Sequence, residues 1–148
     1  MTLSDKLSQI NTIFIDTAPI IYFIEAHPKF GLLTMGVVEA FQTGKINAFS
    51  SVLILTEVLS KPIETGDQKL AKRFSDFLKY GKNLRLVEIS VSIAERAGKL
   101  RGQCSGLRTI DAIQVFVATN IGVDAFLTND EKLKQIKEIN VLFLKDYV

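Results

Sequence analysis

Five short runs of apolar, largely β-branched or aromatic residues recur along this chain, separated by stretches with helical periodicity. That alternation constrains the fold more than any other feature. The runs are Thr12–Ile15, Asn47–Ser50, Leu84–Ile89, Ala125–Leu127 and Val141–Leu144, and helices are expected at 18–26, 31–43, 52–60, 67–80, 92–103, 109–121 and 131–137. Strands joined through helices select an α/β domain with a mostly parallel central sheet, because a crossover helix returns the chain to the same end of the sheet. Pro19 suits the first turn of its helix, where a missing N–H costs little. Gly44, Gly81 and Gly122 stand where helices should stop. The stretch from Lys61-Pro62 to Thr65-Gly66 reads as a loop, since proline disrupts a helix interior. At 148 residues, with no repeat or linker, residues 1–148 are expected to form one domain around one sizeable core.

Composition narrows the class. Hydrophobic residues make up 47% of the chain, with 10 Phe and no Trp, an excess that predicts a subunit interface, and hence a homodimer, as well as a core. No apolar run approaches the roughly 18 residues of a membrane span. The start, MTLSDKLSQI, lacks the basic-then-apolar layout of a signal peptide, so the expected location is the cytoplasm. A single cysteine, Cys104, excludes an internal disulfide and a cysteine-based zinc site. The net charge of +2 is unevenly spread: residues 61–108 hold 11 Lys or Arg against 5 Asp or Glu, a net of +6. A basic middle suits a polyanionic partner, although many of these lysines belong on solvated helix faces.

Four acidic residues stand out, three by their apolar surroundings and one by its place after a strand. In TIFIDTAPIIYFIE, Asp16 ends an apolar strand and begins an apolar helix. Asp130 follows the strand AFLT by two residues, and parallel sheets place ligands beyond the carboxyl ends of their strands. Glu57 lies in SVLILTEVLS, where at about 100° per residue the apolar side chains leave no wide polar stripe. Asp111 is the only charge in TIDAIQVFVA. Each has an ordinary alternative: Asp16 and Asp130 as helix caps, Asp111 as a complement to the helix dipole, Glu57 on a solvated face. Those alternatives do not explain why four acids are delivered, in order, toward one sheet edge.

The series IFIDTAPIIYFIE, SSVLILTEVL, LRTIDAIQVFVA and FLTNDEKL resembles the PIN-domain nucleases, and most of all the VapC-type toxins of prokaryotic toxin–antitoxin pairs. The likeness runs from the first strand to the last helix. It implies a three-layer α/β/α fold, an acidic site of Asp16, Glu57, Asp111 and Asp130, dependence on Mg²⁺ or Mn²⁺, RNA cleavage, an antitoxin partner and a homodimer.

The chemistry is intelligible from the residues. Clustered carboxylates repel and tend to take up protons, a conflict that a hard divalent cation with a preference for oxygen relieves. Asp16 and Asp111 are assigned as principal metal ligands. Glu57 is a ligand through water or the base for the attacking water, and Asp130 completes a second, weaker metal position. Thr17 and Thr128 are candidates to hydrogen-bond the carboxylates or a phosphate, and Arg108 to meet a phosphate. His27 reads as a turn residue. Two other readings stay open: a non-catalytic RNA- or antitoxin-binding module of the same fold, and a phosphatase with Asp16 as nucleophile. The second is the weaker, because Ala18 stands where such enzymes place a second Asp.

Overall fold

The computed structural model describes residues 1–148. In chain order the elements are α1 (Leu3–Leu7), β1 (Thr12–Ile15), α2 (Thr17–Ile24), α3 (Gly31–Gln42), β2 (Asn47–Ser51), α4 (Leu53–Glu64), α5 (Gln68–Tyr80), β3 (Leu84–Val87), α6 (Val91–Gln103), α7 (Thr109–Ile121), β4 (Ala125–Thr128) and β5 (Val141–Phe143). Two 3₁₀ turns, Glu131–Gln135 and Leu144–Tyr147, flank β5. The five strands form one sheet in the order β3-β2-β1-β4-β5, every pairing parallel. No helix is long and apolar enough to cross a membrane.

Side-chain alternation along the strands divides the core in two. Ile13, Ile15, Ala48, Ala125 and Leu127 face one way, into a cluster with the buried residues of α1 to α5. Phe14 and Phe126 face the other way, into a cluster with α6 and α7. Their rings stack at 4.9 Å between centroids, locking β1 to β4 on that face. The result is the expected α/β/α sandwich, held by burial on both faces of a parallel sheet.

The order of connections matters for function. From β1 the chain steps outward through β2 to β3 with its helices on one face. It then crosses back through α6 and α7 on the other face to add β4 beside β1. The winding therefore reverses between β1 and β4, and ligand crevices form at the carboxyl ends of strands at such a reversal.

Three local features differ from the sequence reading. Helix α4 continues through Pro62 to Glu64 instead of yielding to a loop at Lys61. Ile54, Val58 and Pro62 are all buried at four-residue spacing, so the proline ring extends the apolar stripe, and its burial offsets the one helical hydrogen bond that its missing N–H removes. Helix α1, not anticipated, is closed by a capping box in which Thr2 and Asp5 exchange backbone-to-side-chain hydrogen bonds. The segment expected as a helix at 131–137 is the short 3₁₀ turn.

Candidate active site

The register Ile15↔Leu127 brings the next residues of those strands, Asp16 and Thr128, side by side at the reversal point. Thr128 Oγ1 donates to Asp16 Oδ2 at 2.7 Å, and the backbone N–H of Thr17 donates to Asp16 Oδ1 at 2.8 Å, capping α2. Gln114 Nε2, from α7, donates to the same Oδ1 at 2.9 Å, while its Oε1 accepts from Ser51 Oγ at 2.6 Å. Ser50 Oγ donates to the Ile15 carbonyl at 2.9 Å. A buried polar layer thus joins the ends of β1, β2 and β4 to α7. No buried side-chain nitrogen or oxygen is left without a partner.

Burial holds the Asp16 carboxyl above its ordinary range. The hydrogen bonds from Thr128 and Thr17 oppose that shift, and the charges of Asp111 and Asp130 add to it. Asp16 directly follows β1 and Asp130 follows β4 by two residues, so both stand at the carboxyl end of the sheet.

Asp111, in the first turn of α7, is only 3% exposed. Its carboxylate faces Arg108, whose Nε and Nη2 donate to Oδ2 and Oδ1 at 3.1 Å each, and whose backbone N–H adds a contact at 3.3 Å. The same guanidinium stands 3.8 Å from Glu57 Oε1, which α4 carries in from the other face of the sheet. The hydrogen bond to Asp111 raises the basicity of Arg108, helped by the charges of Asp111, Glu57 and Asp130. Asp130 caps the 3₁₀ turn by accepting from the Lys132 N–H at 3.0 Å, and its own N–H donates to Thr128 Oγ1 at 3.0 Å.

All four predicted acids therefore reach the carboxyl end of the sheet, but as two subsites: Asp16 in the buried polar layer with Asp130 joined to it through Thr128, and Asp111 with Glu57 about Arg108. No three His, Cys, Asp or Glu side chains gather closely enough to hold a metal ion in this arrangement. The donor chemistry nonetheless fits a hard divalent cation, since the four acids offer only carboxylate oxygens, and a cation, Arg108, already bridges two of them. Thr128 is fully buried with its hydroxyl engaged by Asp16 and by the backbone of Asp130, so it positions a carboxylate. Thr17 contributes through its backbone. His27 is a turn residue: its Nδ1 accepts from the N–H groups of Lys29 and Phe30.

Gln114, Ser50 and Ser51 were not singled out from sequence. One signal was present: Gln114 follows Asp111 by three residues, on the same face of an otherwise apolar helix. A groove of about 700 Å³ lies between α1 and α3 beside Asn11 and Lys45, at the amino ends of β1 and β2 and away from the acids.

A family model described as the PIN domain matches residues 13–139. Three solved structures have similar folds. A chain of VapBC2 from Rickettsia felis, bound to promoter DNA, is 17% identical with a TM-score of 0.71, covering 89% of this chain and 98% of that one. A chain of a toxin–antitoxin complex from Klebsiella pneumoniae is 19% identical with a TM-score of 0.62, covering 89% and 97%. VapC20 from Mycobacterium tuberculosis, a sarcin–ricin loop cleaving toxin, is 14% identical with a TM-score of 0.66, covering 86% and 98%. No curated protein matches the sequence.

Proposed function

The chain belongs to the PIN-domain family, and from that premise we propose that it is a metal-dependent endoribonuclease, the toxin of a toxin–antitoxin pair. One observation carries this reading: Asp16, Glu57, Asp111 and Asp130 come from four separate segments to the carboxyl end of one parallel sheet, where its winding reverses. Structural caps alone require no such convergence.

In this reading Asp16 and Asp111 would hold a Mg²⁺ or Mn²⁺ ion, with Asp130 supporting a weaker second position, and the bound ion would supply Lewis-acid stabilisation of charge at the scissile phosphate. Glu57 is the only one of the four with neither a capping role nor a backbone partner, and it is 24% exposed. It takes the proton of the attacking water or orients that water. Gln114 and Thr128 fix the plane of the Asp16 carboxylate. Arg108 and the N-terminal turn of α2, beginning at Thr17, face the RNA phosphate, and the basic middle of the chain attracts the rest of the strand. Toxin–antitoxin complexes among the similar folds support an antitoxin protein as partner. A homodimer is proposed on the apolar surface of α3, with the cytoplasm as its location.

One observation favours a second reading, a non-catalytic RNA- or antitoxin-binding module. The polar groups are satisfied without a metal, and no three carboxylates are gathered as ligands. Purified protein incubated with RNA and Mn²⁺ separates the two. Cleavage that needs the metal and disappears in Asp16→Asn supports the nuclease, whereas RNA binding without cleavage establishes the module.

A further inference from the structure

We propose that Arg108 is the resident counter-cation of the acidic site, and that a divalent metal enters by displacing its guanidinium from Asp111 and Glu57. This rests on the reading of the site as one that takes a metal.

Asp111 is nearly sealed from solvent, and Arg108 is its only ion-pair partner. A buried carboxylate without a partner is costly, so some cation is required there. The group that supplies it is unusual in being 60% exposed itself, on a long side chain whose only hydrogen bonds beyond its own backbone are those to Asp111. One end of the pair is fixed in the core and the other is tethered in water. Rotation about the Arg108 side chain moves the guanidinium into solvent with its hydration restored, leaving Asp111 Oδ1 free and Oδ2 with only the 3.3 Å contact from the Arg108 backbone N–H. The guanidinium covers those oxygens with a planar fork, so it cannot share them with a hard ion that needs several oxygen ligands at short range. The released guanidinium remains three residues from Asp111, within the site, where a phosphate oxygen can replace the carboxylates as its partner.

The test uses Mg²⁺ as the probe, with calorimetry on wild type, Arg108→Gln and Arg108→Lys, and NMR of the Arg108 Nε–H signal in the wild type. Displacement predicts that Arg108→Gln binds Mg²⁺ roughly tenfold more tightly, with Arg108→Lys in between because it keeps the charge and loses the fork. It also predicts that the Arg108 Nε–H signal moves to a solvent-exposed position, with faster exchange, over the same Mg²⁺ range as the calorimetric transition. Equal affinities in all three proteins overturn the proposal. Tighter binding by Arg108→Gln with an unmoved Nε–H signal also overturns it, since plain charge repulsion then accounts for the affinity. Should Mg²⁺ bind to none of them, the metal-dependent nuclease reading fails along with it, an outcome distinct from binding that ignores Arg108.

Discussion

Gln114 Nε2 lies 2.9 Å from Asp16 Oδ1, and this one contact ties the first strand's terminal carboxylate to a helix on the opposite side of the chain's winding. Through its other end Gln114 accepts from Ser51, so a single amide sets the spacing of β1, β2 and α7. Replacement by Leu keeps the volume but leaves Ser51 and one Asp16 lone pair without their partner. Such a loss costs about 1–3 kcal/mol, which urea unfolding will detect. Ser51→Ala should then cost less in the Gln114→Leu background than in wild type, because the partner is already gone.

The raised Asp16 carboxyl makes stability depend on pH in a definite direction. A group whose folded-state pKa lies above its ordinary value of 3.8 binds more protons folded than unfolded. Its contribution is full below the unfolded value and is lost as pH rises through the folded one. Asp16→Asn stays neutral throughout. Without divalent metal, its stability relative to wild type should therefore increase as pH rises from about 4. Urea midpoints for the two proteins that stay parallel over that rise would show that Asp16 carries no raised pKa.

Glu57 separates catalysis from architecture. It faces Arg108 from a mid-helix position and no backbone group depends on its carboxylate. Glu57→Gln should keep the fold and most of the RNA affinity, while single-turnover cleavage with Mn²⁺ slows by roughly 10²–10⁴. Cleavage at the wild-type rate removes Glu57 from the mechanism, and loss of folding makes it structural.

Helix α3 leaves Leu32 82% and Met35 54% exposed, beside the groove it shares with α1. An apolar surface of this kind is expected to be covered by a second copy, burying at least about 1,000 Å². Light scattering should give twice the 16.5 kDa chain mass, and Leu32→Glu should shift it toward the monomer. A wild-type monomer at tens of micromolar refutes the dimer.

The division between what was legible in the sequence and what was not follows from the range of the interactions. Local pattern determined the strands and most helix limits, because burial on two faces of a parallel sheet demands short apolar runs such as Thr12–Ile15 and Ala125–Thr128. It also exposed Asp16, Glu57 and Asp111, since a charge in an apolar stretch is conspicuous whatever surrounds it, and Asp130 by its place two residues after an apolar strand. The length of α4 was misread because proline's local cost is visible in sequence, whereas the burial that offsets it at Pro62 is not. Strand order, the meeting of Asp16 with Thr128 and the bridge from Ser51 through Gln114 are contacts between residues far apart in the chain, decided only when the crossovers placed β4 beside β1. The position of Arg108 has both origins. Its three-residue spacing from Asp111 is local, but its approach to Glu57 exists only because α4 and α7, packed on opposite faces, end their polar side chains at the same edge of the sheet.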